Sequence, residues 1–161
     1  MKEIKLTQGK VALVDDEDFS YLNQFKWIAH KSSKTYYAAR TVKNGNRRKY
    51  ISMHQVILKP MDGLKTDHID GNGLNNCRNN LRYATHSQNI ANAGKRRGAI
   101  STFKGVSPLP KFPGYDVRWR AFIRVNGHGY HLGCFATEKE AAIVYDGVVK
   151  KHFGAFAKTN F

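Results

Sequence analysis

The run Arg118-Trp119-Arg120-Ala121-Phe122-Ile123-Arg124-Val125 constrains this chain more than any other segment. A strand points alternate side chains to opposite faces, so Arg118, Arg120, Phe122 and Arg124 share one face while Trp119, Ala121, Ile123 and Val125 share the other. The apolar face needs a cover. Residues 137–153 supply one, because Ala141, Ala142, Tyr145, Val148, Val149 and Phe153 recur at helical spacing. Thr137 with Glu140 forms a capping box at the start of that helix, and Gly154 stops it. Strand-like runs at 103–109, 115–125 and 129–135 are broken by Pro108, Pro110, Pro113 and an Asn126-Gly127 turn. The expected unit, 103–161, is a three-stranded antiparallel sheet packed on one helix.

Charge sets the next bound. The 161 residues carry 27 Lys and Arg against 12 Asp and Glu, a formal net charge of +15. Residues 1–62, 63–100 and 101–161 hold +6, +4 and +5 of it, so no single basic tail accounts for the total. Charge spread this way suits extended contact with a polyanion, of which nucleic acid is the commonest; the bland alternative is a soluble protein that happens to be basic. An apolar fraction of 41% provides for a packed core and argues against a disordered arm. No run of about 18 apolar residues is present, and Met1-Lys2-Glu3-Ile4-Lys5 lacks the apolar core of a secretory signal, so a cytoplasmic protein with no membrane partner is expected. Cys77 and Cys134 are far apart and read as free thiols. His128, His131 and Cys134 raise zinc, but on an unbroken strand His131 faces away from the other two, and no structural zinc is expected.

The first half reads as a small antiparallel sheet with short helices. Residues 11–14 form a buried strand, and Asp15-Asp16-Glu17-Asp18 suits a helix N-terminus better than a cation site. Short β-prone runs follow at 27–30, 35–42 and 49–52, with Asn44-Gly45-Asn46 as a turn signal. Ser52 and Gln55 cap a helix over 53–59 that Pro60 ends. His54 on it suits a packing or phosphate-contact role. The segment 94–102, with Gly94-Lys95-Arg96-Arg97-Gly98, reads as a basic linker between domains 1–93 and 103–161.

Chemistry concentrates in residues 65–92: Asp67-His68, Asp70-Gly71-Asn72-Gly73, Asn79-Asn80 and Thr85-His86-Ser87-Gln88-Asn89. The expected layout is strand, turn-rich loop, strand, helix. Asp67-His68 ends the first strand, and Thr85 with Gln88 caps the helix, so that Asn89 falls in its first turn. Carboxylate and amide oxygens are hard ligands suited to Mg²⁺ or Mn²⁺, and a neighbouring imidazole can take a proton from water. His86 is the second candidate for a metal ligand, and Arg82 and Arg78 are candidates for phosphate contact.

LKTDHIDGNGLNNCRNNLRYATHSQN, residues 64–89, resembles the motif of the HNH nucleases, the ββα-metal family, in the form found in phage homing endonucleases. Asp67-His68, Asn80 twelve residues after the His and Asn89 nine further on carry the resemblance. It implies that the metal core lies at about 62–93. It also implies His68 as general base, Asp67 and Asn89 as ligands of one divalent ion, Mg²⁺ or Mn²⁺, and Asn80 as the residue that orients the His68 ring and ties down the loop. The implied reaction is in-line hydrolysis of a phosphodiester to 5′-phosphate and 3′-hydroxyl ends, in a phage-infected bacterial host or a bacterium.

Residues 103–161 resemble the plant ethylene-response-factor, or APETALA-type, DNA-binding domain. The resemblance rests on Lys104-Gly105-Val106, Trp119-Arg120-Ala121-Phe122-Ile123-Arg124, His131-Leu132-Gly133-Cys134-Phe135, Ala141-Ala142 with Tyr145-Asp146, and Thr159-Asn160-Phe161. It implies that Lys104, Arg118, Arg120, Arg124 and His131 contact the major groove, with Phe122 against a thymine methyl, and Lys95, Arg96 and Arg97 join the DNA-binding set from the basic segment. Ser107-Pro108 and His131 depart from the plant pattern, so its sequence preference does not carry over. The resulting expectation is an α+β, metal-dependent duplex-DNA endonuclease, monomer or homodimer, that nicks or cuts both strands. The rivals are a DNA-binding regulator without catalysis and an RNA-binding protein.

Overall fold

The computed structural model describes residues 1–32, 35–45, 47–110 and 118–161. It is an α+β protein of small antiparallel sheets and short helices that divides into two compact units, Met1–Ala84 and Thr85–Phe161. Among the described residues, no helix is long and apolar enough to cross a membrane.

In the first unit, strands β1 (Lys2–Lys5) and β2 (Val11–Val14) form a hairpin whose buried positions are Ile4, Ala12 and Val14. Strand β1 carries no periodic signal in the sequence, since it has a single buried apolar residue, Ile4, among charged ones. Helix α1 (Asp16–Leu22) starts on the acidic cluster, with Asp16, Glu17 and Asp18 in its first turn. The cluster also anchors a distant loop: Asp15 Oδ2 accepts the Arg78 backbone N–H at 2.7 Å, and the Arg78 guanidinium reaches Asp18 at 2.7 and 2.8 Å and Glu17 at 2.6 Å. Arg78, a candidate for phosphate contact, is therefore held by carboxylates.

Strands β3 (Ile28–Lys31), β4 (Tyr36–Asn44) and β5 (Arg47–Ser52) form an antiparallel sheet in that order. Gly45, at φ +59°, enters the β4–β5 turn in the left-handed region that glycine tolerates; Asn46, the rest of that turn signal, lies outside the described residues. Helix α2 (Met53–Ile57) carries the expected Ser52–Gln55 capping box and ends before Pro60. The core gathers Ile4, Leu6, Ala12, Val14, Leu22, Trp27, Ala29, Ala38 and Met53. Strands β6 (Lys65–His68) and β7 (Leu81–Ala84) then pair antiparallel.

The second unit opens with helix α3 (His86–Asn92), capped by Thr85 and Gln88 as expected. The basic segment 94–102 is tied into this unit: Ser101 is buried, Lys95 Nζ donates to its carbonyl at 2.8 Å, and Thr102 N–H donates to Glu138 at 2.6 Å. Strands β8 (Val106–Pro108), β9 (Trp119–Val125) and β10 (His128–Phe135) form the sheet, and helix α4 (Glu138–Phe153) covers it. Residues 115–117 of the expected central strand lie outside the described residues. Along β9 the alternation holds: Ala121 and Ile123 are buried against the α4 side while Arg120 and Arg124 are exposed. Asn126 and Gly127, at φ +50° and +85°, make the two-residue β9–β10 turn. Gly105 is required by packing, since a Cβ there would overlap the Tyr145 ring. The C-terminus is fastened by Asp146, whose carboxylate accepts N–H bonds from Asn160 and Phe161 at 2.8–2.9 Å.

Candidate active site

The first unit brings Asp67, His68 and Asn80 together. Asp67 and His68 end β6, as the motif leads one to expect, and both are buried. Being consecutive, they leave the strand end near enough for the Asp67 charge to act on the His68 imidazole. Asp67 sits across from Arg82 on β7, and Arg82 Nε donates to its Oδ2 at 2.9 Å. Arg82 is itself largely buried, so in this structure it faces Asp67.

The loop between β6 and β7 is organised by Asp70 and Asn80. Asn80 Oδ1 accepts the Asp70 N–H at 3.0 Å, and its Nδ2 donates to Asp70 Oδ1 at 3.0 Å and to the Asn75 carbonyl at 2.8 Å. Burial alone would raise the Asp70 carboxyl, but hydrogen bonds from Asn72, Asn75 and Asn80 outweigh it and hold the group below the usual carboxylate range. Asn80 thus bonds to both Asp70 and Asn75 within the loop.

The ring contact falls to a residue that sequence analysis missed. His68 Nε2 lies 3.4 Å from Oδ1 of Asn76, which is fully buried. Asn76 Nδ2 donates to the Leu74 carbonyl at 3.2 Å, which fixes the amide with its oxygen toward the imidazole. That arrangement suits the tautomer with its proton on Nε2, which leaves Nδ1 the lone pair a general base uses. The available signal was a second Asn-Asn pair, Asn75-Asn76, set between apolar Leu74 and Cys77, where an asparagine is buried only to make a specific bond.

Two rings pack beside the imidazole. His54 stands edge-on to His68 at 5.1 Å and 89°, and Tyr37 lies 5.7 Å from His68 and 5.6 Å from His54. Burial pushes the His68 imidazole below its ordinary value, against the opposing pull of Asn76, Asp70 and Asp67. Burial, helped by His68, pushes His54 down to about 4, and its Nδ1 is buried with no hydrogen-bond partner among the described residues.

A stability prediction follows from His54. Above pH 6.5 the ring is neutral in both folded and unfolded chains and costs nothing. Between 6.5 and about 4 the unfolded chain takes up a proton that the folded one refuses, so stability falls as pH falls. The full loss is about 3 kcal/mol. Urea unfolding at pH 7 and pH 4 should show it in the wild type, and His54→Phe should show a correspondingly smaller pH dependence.

Gly73 sets how closely the loop approaches these rings. A Cβ there would lie 2.5 Å from the Tyr36 carbonyl oxygen and 2.5 Å from the Tyr37 ring, while its N–H donates to Thr35 Oγ1 at 3.1 Å. Gly73→Ala is therefore expected to destabilise the first unit by about 1–3 kcal/mol, measured by urea midpoint, because strand backbone cannot yield as a flexible side chain can.

As a cation site, the Asp67 carboxylate offers hard oxygen. A carboxylate has about four acceptor positions, so the Arg82 bond and a divalent ion can share it. Asn89 lies in the first turn of α3 and, with His86, belongs to the second unit. No group of three His, Cys, Asp or Glu side chains able to hold a metal is present among the described residues.

In the second unit, Arg120, Phe122, Arg124 and His131 share the exposed sheet face, with His131 paired to Phe122 and Gly129 to Arg124. Arg118 just precedes β9 and is exposed. Phe122 lies over Gly129, where a Cβ would overlap its ring. Lys104 is not brought to this group: its Nζ donates to the Ile90 and Ala91 carbonyls at the end of α3. Arg96 and Arg97 are exposed in the basic segment. The strand regularity assumed for His131 and Cys134 fails here. A bulge between His131 and Gly133 absorbs Leu132, so both residues face the same side, with Cys134 Sγ 3.5 Å from His131 Nε2. His128, paired with Val125, does not join them.

The chain is similar to a protein of Acanthamoeba polyphaga mimivirus named as an uncharacterized HNH endonuclease, at 28% identity over 153 residues, 95% of this chain and 76% of the relative. The match therefore runs through both units. No family model matches the chain, and no solved structure does.

Proposed function

We propose that this protein is a metal-dependent endonuclease that hydrolyses phosphodiesters of duplex DNA to 5′-phosphate and 3′-hydroxyl ends. The observation that carries the reading is the buried His68 imidazole. Its Nε2 lies 3.4 Å from the Asn76 side-chain oxygen, burial lowers its pKa, and it sits beside Asp67 at the end of one strand. A general base must be unprotonated and oriented, and burial and the Asn76 contact favour both conditions. The mimivirus relative's name points the same way.

His68 takes a proton from the attacking water. Arg82 pairs with Asp67, and Asp70 with Asn80 holds the loop that presents the base. A divalent ion, Mg²⁺ or Mn²⁺, when bound supplies charge stabilisation at the phosphate and the departing 3′ oxygen. Asp67 would hold it, and on the motif spacing alone Asn89 would be a second ligand. The cationic sheet face of the second unit, with Arg118, Arg120, Phe122, Arg124 and His131, reads DNA in the manner the plant-domain resemblance implies, and Lys95, Arg96 and Arg97 add phosphate contacts. The homing type, the phage setting and the choice between one strand and two belong to the same reading.

Supercoiled plasmid incubated with Mg²⁺ or Mn²⁺, against an EDTA control, tests it. Metal-dependent nicked or linear product is expected, with ends ligatable after simple annealing. DNA binding without any cleavage in either metal would leave the non-catalytic regulator standing, and stronger binding to RNA than to duplex DNA would favour the RNA reading.

A further inference from the structure

The geometry points to the β4–β5 hairpin as a second duplex-binding element, a cationic ribbon that occupies the major groove about six base pairs from the bond attacked at His68. The inference rests on the proposed function for its choice of DNA as partner; the charge and shape of the ribbon stand independently.

Residues 36–52 contain Arg40, Lys43, Arg47, Arg48 and Lys49 and no acidic residue. Lys43, Arg47, Arg48, Lys49 and Tyr50 are exposed, and none of these cations forms an ion pair among the described residues. Arg40 is different: its guanidinium lies 3.7 Å from the Phe25 ring centroid and 5.7 Å from that of Trp27, so it roots the ribbon in the core. The free end is thus a stiff paired arm carrying four unneutralised charges, which a folded protein concentrates at a cost in self-repulsion unless a polyanion relieves it.

Register fixes where the arm points. Lys43 pairs with Arg48 and Thr41 with Tyr50 on one face, and Val42 with Lys49 on the other. Tyr37 lies on the first face, since it is an even number of residues from Thr41 and Lys43. Its ring centroid also lies 5.7 Å from that of His68. The row from Tyr37 to Lys43 therefore leads from the candidate base to the charged tip. Six residues at about 3.4 Å each span roughly 20 Å. That is about six base pairs of duplex at 3.4 Å per step. The major groove, about 12 Å wide, admits a two-stranded ribbon, and cations on both faces then reach both flanking backbones.

The test uses the full chain and a labelled duplex in EDTA, where cleavage cannot confuse binding. Each phosphate neutralised contributes about 0.9 to the salt slope. Arg47→Ser/Arg48→Ser/Lys49→Ser should therefore lower the slope by up to about 2.7, and reduce the affinity lost between 50 and 200 mM salt by about 40-fold. Arg47→Lys/Arg48→Lys should retain the slope, which excludes misfolding as the cause, and Lys150→Ser/Lys151→Ser on α4 should leave it unchanged. Hydroxyl-radical footprinting on a cleaved duplex should show protection about six base pairs from the cut that the triple substitution removes. An unchanged slope in the triple variant, protection that survives it, or preference for duplex RNA would overturn the inference. Failure of the wild type to cut DNA would instead count against the nuclease reading and leave the slope result to decide the ribbon.

Discussion

His68→Ala should lower metal-dependent plasmid cleavage by about 10²–10⁴-fold, the usual contribution of a positioned general base. The substitution removes the nitrogen that takes the water proton, and nothing nearby replaces it. His54 is edge-on and kept neutral down to about pH 4, yet its buried Nδ1 has no bond to orient it toward water. Asp70 is held by Asn72, Asn75 and Asn80, and Asp67 by Arg82. The loss therefore appears in the chemical step. Single-turnover cleavage at saturating DNA measures it, with circular dichroism and DNA binding in EDTA as controls for fold. Asn76→Ala should fall between His68→Ala and the wild type, since the ring remains but loses the bond that fixes its tautomer. Activity of His68→Ala within threefold of the wild type would remove the imidazole from the mechanism.

Trp27→Ala should destabilise the first unit by about 3–5 kcal/mol, the range for emptying a large buried aromatic site. Trp27 is 1% exposed, meets Phe25 edge-on at 6.5 Å, lies under the Arg40 guanidinium and donates its indole N–H to the Leu22 carbonyl at 2.8 Å. The substitution opens a cavity, strands a buried carbonyl and removes the base on which the β4–β5 ribbon stands. A domain stable by about 5–15 kcal/mol loses a large part of its margin to such a change. Trp27→Phe, which keeps most of the volume but not the N–H, should cost clearly less. Urea unfolding of the two variants distinguishes packing from hydrogen bonding, and a Trp27→Ala midpoint close to the wild type would contradict the core assignment.

Much of the fold was legible because its signals are local. The three capping boxes, at Ser52, Thr85 and Thr137, form where side chain and backbone lie three residues apart, so sequence spacing alone encodes them. The alternation of β9 and the helical stripe of α4 are equally local. The residues that diverged depend on distant partners. Arg78 looks solvent-facing until α1, some 60 residues earlier, supplies Asp18. Lys104 looks like part of a cationic surface until the end of α3 offers its carbonyls. His131 and Cys134 alternate correctly on paper, and a single bulge reverses one of them.

The sequence by itself determined the element types, the caps, the cationic stripe of β9 and the placing of Asp67 and His68 at the end of one strand. Only the tertiary structure decided that Asn76 holds the imidazole, that His54 and Tyr37 pack around it, and that Arg82 balances Asp67. Periodicity and capping arise from contacts within a few residues, whereas the pairing of a buried polar group depends on which remote atom reaches it once water has been excluded.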